Sequence, residues 1–246
     1  MPFDIDSVML RMRTAARIDE DPRGGPVRTI INGRHRKPTG RYSSAKAARA
    51  LPWESKHERS LFMLCEADTR VVSYLAQPHR LTIPVVRDES LIYFPDLRRE
   101  MAVGPTEIIE VKNVYDPRRD PFYDRKIGLA REIYAGLGWA FRVMDAAEIE
   151  AEPAWSAARA IQRYRHVALT TRDRLAAMEA VEAAGGATTV AAAVAALGGG
   201  LAARARLCAL VVRRVVAIDL GQRLGPGSAV TLVSSTPDAP RPRRRA

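Results

Sequence analysis

The sequence predicts an α/β protein in which a mixed sheet is flanked by helices, followed by a smaller, mainly helical module. Three observations support this prediction. Segments with helical spacing of apolar residues alternate with short β-branched runs between positions 51 and 168. After Leu169 the composition shifts to alanine-rich segments that favour helices. Residues 1–50 are rich in Gly, Pro, Ser and Arg, which predicts a short helix over 5–17 and then an extended basic arm.

The α/β segment, 51–168, begins with a helix near Ser55 that carries an apolar face around Leu61 and Phe62. Several strands follow, and the third contains Pro95, which fits a strand only at an edge or a break. The predicted strands are 71–77, 81–86, 91–101, 106–112 and 139–145, and the predicted helices are 122–137 and 146–165, the latter broken near Pro153.

The segment 169–235 is predicted to hold three helices and then two strands around a Gly/Pro-rich loop, which is the element order of a winged-helix domain. The helices are expected over 172–184, 190–197 and 201–214, and the strands over 215–220 and 229–233. The second helix carries no Lys or Arg, whereas the third carries several arginines. This pattern favours docking of a partner protein, with some DNA contact. The arginines are Arg204, Arg206, Arg213 and Arg214.

Basic charge is concentrated near both ends of the chain. The formal net charge is +11 and the isoelectric point is about 10.2, which favours a polyanionic partner. From Pro22 to Trp53 there is no acidic residue, and the tail 236–246 adds a second basic run. Such runs typically follow phosphates, so double-stranded DNA is the expected partner. The candidate DNA-binding residues in the arm are Arg34, Arg36, Lys37, Arg41 and Lys46.

Other classes of protein are disfavoured by the sequence. No apolar run is long enough for a membrane span, and the N-terminus lacks an apolar signal core, so a cytoplasmic location is expected. Cys65 and Cys208 are expected to be buried free thiols. The four histidines have no ligand spacing, which argues against a zinc site.

The chemically informative residues are Asp96, which follows Pro95, and the triplet Glu110-Val111-Lys112. In a strand, Glu110 and Lys112 project from one face while Val111 faces the core. A turn at Gly104-Pro105 lies between the two motifs, and their separation is that of a strand pair, so Asp96 can join them. Glu58, in the preceding helix, is expected to complete the set. Carboxylates beside a lysine suit a Mg²⁺ site for phosphodiester hydrolysis.

Each motif also has an interpretation in which its residues have only a structural role. An acid, an apolar residue and a lysine in a strand usually form a solvated sheet face, and Pro-Asp is a frequent turn dipeptide. Glu54 and Glu66 compete with Glu58 as the helix-borne acid. Gln77 is expected to be structural or to support the site indirectly. His57 and His79 are expected on the surface, and Tyr74 and Trp139 in the core.

Pro-Asp followed by Glu-x-Lys resembles the signature of the PD-(D/E)xK nuclease superfamily. A longer set of residues, over about 50–150, resembles TnsA-type endonuclease subunits of heteromeric transposases. The residues that carry this resemblance are Trp53-Glu54-Ser55, Glu58-Arg59, Phe62, 71–74, Gln77-Pro78, 93–96, 109–112, Lys126, Ala130 and 138–143.

The resemblance implies a restriction-endonuclease-like core and a role for each matching residue. Glu58, Asp96 and Glu110 would bind Mg²⁺ or Mn²⁺, with help from the backbone carbonyl of Val111, and Lys112 would be the catalytic lysine. Lys126 would approach the DNA backbone or the site, although an exposed helix lysine is an equal alternative. The best-known family member has glutamine where this chain has Glu110. Glutamate is the superfamily norm, which favours an active enzyme.

The resemblance also implies a biological reaction. The protein would nick the 5′ strand at transposon ends, together with a DDE-type transposase and an ATPase regulator. Two alternatives are open from the sequence: a stand-alone nuclease of restriction or repair type with the same core, and a DNA-binding protein that has lost catalysis.

Overall fold

The computed structural model describes residues 16–28, 38–84, 90–114 and 121–234, and within these ranges the protein is mixed α/β. The strands are β1 (Arg17–Glu20), β2 (Gly40–Ser44), β3 (Arg49–Trp53), β4 (Val71–Ala76), β5 (His79–Pro84), β6 (Ser90–Tyr93), β7 (Leu97–Met101), β8 (Glu107–Lys112), β9 (Ala140–Asp145), β10 (Ala187–Thr189), β11 (Val216–Ile218) and β12 (Ala229–Leu232). The helices are α1 (Lys56–Ala67), α2 (Pro121–Gly136), α3 (Ala146–Ile149), α4 (Ala154–Gln162), α5 (Thr171–Ala183), α6 (Val190–Ala196) and α7 (Gly200–Val212).

A four-stranded sheet, in the order β4-β7-β8-β9, carries the α/β part of the protein. Strands β8 and β9 are parallel, and the other neighbours are antiparallel. Alternation along β8 turns Ile109 and Val111 toward one face, where they share a core cluster with residues of α1 such as Phe62. Ile108 points to the other face and packs with residues of α2 such as Tyr134. The sheet is therefore covered by a helix on each face.

The predicted strand over 91–101 is two strands in the structure. Its first half, β6, pairs with β5 in a sheet of order β1-β5-β6, and its second half, β7, joins the four-stranded sheet. The change of sheet occurs at Phe94, Pro95 and Asp96, where proline removes a backbone donor from regular pairing. Asp96 thus lies at the junction of two sheets, immediately before β7.

The end of the expected basic arm is folded. Strands β2 and β3 form an antiparallel hairpin in which Tyr42 and Leu51 are buried in the same core cluster as α1. Residues 38–50 therefore belong to the folded body, because an apolar face anchors them, and this corrects the expectation of an extended segment. The predicted helix over 5–17 lies outside the described residues except for its end, where Arg17 begins β1. Arg34, Arg36, Lys37 and the tail 236–246 also lie outside them.

The C-terminal part contains α5, α6 and α7, close to their predicted bounds, and a small antiparallel sheet of order β10-β12-β11. The short strand β10 was not predicted. Thr170 and Thr189 cap the helices that follow them, as their side chains accept backbone N–H groups. Ala67 of α1 and Ile161 of α4 share a core cluster with Leu207 of α7. One core cluster therefore continues across position 168, where the composition changes.

Two further expectations concern the whole chain. Cys65 and Cys208 are buried free thiols, as predicted. Across the described ranges, no single helix is long and apolar enough to cross a membrane, and α6 and α7 meet that test only as a pair bent by 109°.

Candidate active site

The backbone register brings Asp96 and Glu110 together. Leu97 of β7 pairs with Ile109 of β8, so the antiparallel register, continued by one residue, sets Asp96 opposite Glu110. Cross-strand partners point to the same face, with Cβ atoms about 5 Å apart. Asp96 Oδ2 accepts a hydrogen bond of 2.6 Å from Val111 N, and Lys112 Nζ lies 2.8 Å from Glu110 Oε1. These contacts unite the two motifs that the sequence separates by fourteen positions.

Glu58 approaches from the first turn of α1. Ser55 caps the helix by accepting from Glu58 N at 3.1 Å, and Glu58 Oε2 accepts from Glu54 N at 2.9 Å. The Glu58 side chain is buried, and burial is the main cause that raises its pKa. The negative charges of Glu54 and Glu110 raise the pKa further. Glu58 is therefore within electrostatic range of the β8 acid, although it comes from the helix on the opposite face of the sheet.

The negative charges of Glu110 and Glu58 both act on Asp96. Removal from water raises its pKa well above the usual range, and the charges of Glu110 and Glu58 add to that effect. The charge of Lys112 and the hydrogen bond from Val111 act in the opposite direction. Three carboxylates that repel one another in a partly buried site fit a hard divalent cation, which prefers oxygen ligands. Among the described residues, no three His, Cys, Asp or Glu side chains are already grouped tightly enough to hold an ion.

The carboxylate of Glu110 is occupied by side chains that the sequence analysis did not assign to the site. Tyr93 donates its hydroxyl to Oε2 at 2.6 Å, and Tyr123 of α2 donates to Oε1. Lys126 Nζ lies 4.8 Å from the centre of the Tyr123 ring and 5.6 Å from that of Tyr93. Lys126 therefore lies beside the site. Tyr93 belongs to the matching motif, but only the tertiary structure reveals the acceptor of its hydroxyl.

A partly buried chain of polar contacts connects the backbone of Asp96 to Gln77, Glu54 and Arg28. Gln77 donates its backbone N–H to the carbonyl of Asp96 at 2.9 Å and its side-chain amide to Glu54 Oε1 at 2.5 Å. Glu54 also lies 3.5 Å from Arg28, whose guanidinium is over the ring of Phe94. Gln77 adopts a positive φ of 44°, which few non-glycine residues do. Glu54 thus holds neighbouring groups, which leaves Glu58 as the helix acid closer to Glu110.

Two residues, Lys46 and Glu66, have roles that the sequence did not reveal. Lys46 was expected to contact DNA, but its ammonium donates to the carbonyls of Cys65, Asp68 and Val71 at 2.6–2.9 Å. Glu66 is fully buried and accepts from the hairpin turn and from Tyr74 at 2.6 Å. The ammonium of Lys46 and the carboxylate of Glu66 therefore form their hydrogen bonds with other groups inside the fold.

The expectation that His79 lies on the surface is also wrong. Its ring is completely buried, and Nε2 lies 2.7 Å from the hydroxyl of Tyr134. Burial lowers the pKa of His79 to about 4, so the imidazole is neutral near pH 7. His57 is half-buried beside Glu150, at 3.2 Å. Tyr74 is in the core, as predicted, and Trp139 is half-buried against Tyr134.

Some basic side chains are exposed, whereas others are engaged by carbonyl or carboxylate groups of the protein. Arg41 of β2 is exposed. In α7, Arg206 is engaged by the carbonyl of Leu197 and by Asp173, whereas Arg204 is exposed. Arg214 donates to the carbonyl of Thr69 at 2.8 Å, which connects the C-terminal part to the α/β part. A cleft of about 510 Å³ is lined by Arg214 together with Lys46, Arg174 and Arg213.

Neither protein-family models nor curated proteins gave a significant match to this chain. A functional assignment therefore rests on the carboxylate cluster itself and on the motifs that its residues form.

Proposed function

We propose that the protein is a metal-dependent DNA endonuclease whose active site comprises Glu58, Asp96, Glu110 and Lys112. The observation that carries the proposal is the register of β7 and β8, which sets Asp96 opposite Glu110 while Lys112 lies 2.8 Å from the same carboxylate. The helix α1, the antiparallel β7–β8 pair and the parallel β9 support a restriction-endonuclease-like core. The order of α5 to α7 and the small sheet supports a winged-helix-like C-terminal domain.

The proposed chemistry is hydrolysis of a phosphodiester. Glu58, Asp96, Glu110 and the carbonyl of Val111 would hold Mg²⁺ or Mn²⁺, which when bound lowers the pKa of water and draws charge from the phosphate. Lys112 is anchored by Glu110, so its ammonium is oriented to direct the attacking water or to stabilise charge that grows on the phosphate oxygens. The water oxygen bonds to phosphorus as the bond to the leaving sugar oxygen breaks.

Charge and motif resemblance extend the proposal to a substrate and partners. The net charge of +11 favours double-stranded DNA, which Arg34, Arg36, Lys37, Arg41 and Lys126 would contact through phosphates. The motifs support a TnsA-like role, with nicking of the 5′ strand at transposon ends beside a DDE-type transposase and an ATPase regulator. A transposase reading frame next to the gene would favour this role over a stand-alone restriction or repair nuclease.

A nicking assay on supercoiled plasmid with Mg²⁺ tests the catalytic assignment. We expect Asp96→Ala and Lys112→Ala to abolish nicking while DNA binding, measured by gel shift, is retained. The matched control is Glu179→Ala on the exposed side of α5, which should nick like wild type. Nicking by Asp96→Ala and Lys112→Ala at the wild-type rate would show that the site is wrongly assigned. Absence of nicking by wild type with intact DNA binding would favour the non-catalytic alternative.

A further inference from the structure

The two oxygens of Glu110 are held in different ways. Oε2 accepts from Tyr93 at 2.6 Å, whereas Oε1 accepts from Tyr123 and also pairs with Lys112 at 2.8 Å. The oxygens therefore face two different sets of partners, one on each side of the carboxylate. A cation that binds Glu110 through Oε1 must replace at least one of the two partners of that oxygen, because a carboxylate oxygen has only two lone pairs.

Tyr93 is built into the scaffold. It ends β6, pairs in register with Leu81 of β5, and is only 3 % exposed. Its ring packs edge-on against Phe141, with the ring centres 6.4 Å apart. The hydroxyl of Tyr93 cannot leave Oε2 unless the core opens, so this hydrogen bond fixes the orientation of the Glu110 carboxylate.

Tyr123 is more exposed than Tyr93. It lies in the first turn of α2 and is half-buried, so a change of rotamer can remove its hydroxyl from Oε1 without opening the core. Lys112 Nζ lies 4.2 Å from the centre of its ring and Lys126 Nζ lies 4.8 Å from it. Tyr123 therefore stabilises the arrangement in which Glu110 Oε1 and Lys112 are paired with each other.

We propose that these two tyrosines set the cation affinity of Glu110 in opposite directions. Tyr93 is a positioning residue that presents Oε1 to the ion, and Tyr123 is an internal competitor for that same oxygen. This inference rests on the proposed function, since it requires that Glu110 is a metal ligand. It assigns to the protein a closed, metal-free arrangement that the ion must open.

The experiment measures Mn²⁺ binding to the full chain without DNA, from the EPR signal of free Mn²⁺. Tyr93→Phe should weaken binding by about tenfold or more, as expected when a hydrogen bond that orients a ligand is lost. Tyr123→Phe should tighten binding by up to about tenfold, because a hydrogen bond to a charged group no longer competes. The matched control is Tyr74→Phe, which removes a buried hydroxyl that donates at the same 2.6 Å to a different carboxylate, that of Glu66. Its Mn²⁺ affinity should equal that of wild type.

Thermal unfolding in EDTA identifies any variant that fails to fold. If Tyr93→Phe does not fold, Tyr123→Phe still decides the question, since it removes only a hydroxyl from a half-buried ring and leaves the core intact. Weaker or unchanged binding by Tyr123→Phe overturns the inference, as does wild-type affinity in a folded Tyr93→Phe. If wild type shows no Mn²⁺ binding that Asp96→Ala removes, the proposed function fails as well. If wild type does show it and the two shifts are not opposed, only this inference fails.

Discussion

Replacing Asp96 by Asn should stabilise the metal-free protein while it abolishes nicking. Removal from water raises the pKa values of Glu58 and Asp96, and repulsion among Glu58, Asp96 and Glu110 adds to this effect. The asparagine amide has nearly the shape of the carboxylate, and its oxygen can still accept from Val111 N. The substitution therefore removes a charge and keeps the contact that closes the end of the β7–β8 pair.

The magnitude follows from the register. Residues that face each other across paired strands have Cβ atoms about 5 Å apart, and two like charges at about that separation repel by about 3 kcal/mol with an effective dielectric constant of about 20. Lys112, 2.8 Å from Glu110, offsets part of this repulsion. The hydrogen bond from Val111 also loses about 1 kcal/mol when its acceptor becomes neutral. A net stabilisation of about 1 kcal/mol remains, which raises the melting temperature of a chain of this length by about 2–4 °C.

Thermal unfolding near pH 7.5, with EDTA and then with MnCl₂, measures the effect. Asp96→Asn should melt above wild type in EDTA, and the order should reverse with MnCl₂, since only wild type is stabilised by the bound ion. The control Glu66→Gln replaces a fully buried acid outside the site. Its acceptor oxygens serve Ser44, Ala45 and Tyr74, so it should melt below wild type in both conditions.

A lower melting temperature of Asp96→Asn in EDTA would refute the reasoning, because Asp96 would then stabilise the fold as a structural acid. The pH dependence gives an independent check. The folded pKa of Asp96 is raised, so the folded protein takes up this proton first, and wild type gains stability as pH falls through that pKa. The advantage of Asp96→Asn should therefore shrink on acidification.

Two further predictions test the corrected residues. The folded pKa of His79 is about 4, whereas an exposed histidine has a pKa of 6.5, so the stability it contributes is present above pH 6.5 and is lost as pH falls toward 4, by about 3 kcal/mol. Urea unfolding between pH 7.5 and 4.5 should show this loss in wild type and not in His79→Gln, and parallel curves would contradict it. Lys46→Met should cost about 2–3 kcal/mol by leaving buried carbonyls without donors, with unchanged DNA affinity. Alanine at Arg34, Arg36 and Lys37 should instead weaken DNA binding and flatten its salt dependence, and equal effects of the two changes on affinity would contradict this distinction.

Local patterns were sufficient for most of the regular structure. The helices α1, α2 and α7 lie within a few residues of their predicted bounds, since apolar spacing of about 3.6 residues marks the side that must be buried. The β7–β8 pair could also be predicted, because a turn at Gly104-Pro105 separates two short runs. Strand β10 is too short for any periodic signal.

Non-local contacts account for what the sequence did not reveal. The sequence assigns Lys46 to the basic arm, but the partners of its ammonium are carbonyls at the end of α1 and in β4. His79 alternates with Leu81 and Ile83 on the buried face of β5, but the partner of its ring, Tyr134, is 55 positions away in the chain. Tyr42 and Leu51 anchor the hairpin through a core that forms only when α1 packs on the sheet. In each case the residue's environment depends on elements that are distant in the chain and come into contact only in the folded protein.

The break after β6 explains why the acid cluster forms where it does. If 91–101 were one continuous strand, Tyr93 and Asp96, three positions apart, would point to opposite faces. The change of sheet at Phe94-Pro95 removes this constraint, so Tyr93 reaches Glu110 from one sheet while Asp96 reaches it from the next. The proline that weakens the strand prediction thus allows one candidate ligand, Asp96, and the residue that positions another, Glu110, to come from a single tetrapeptide. The same junction places Asp96 at the end of the β7–β8 pair, next to Glu110, while Ile109 and Val111 pack in the core on the opposite face.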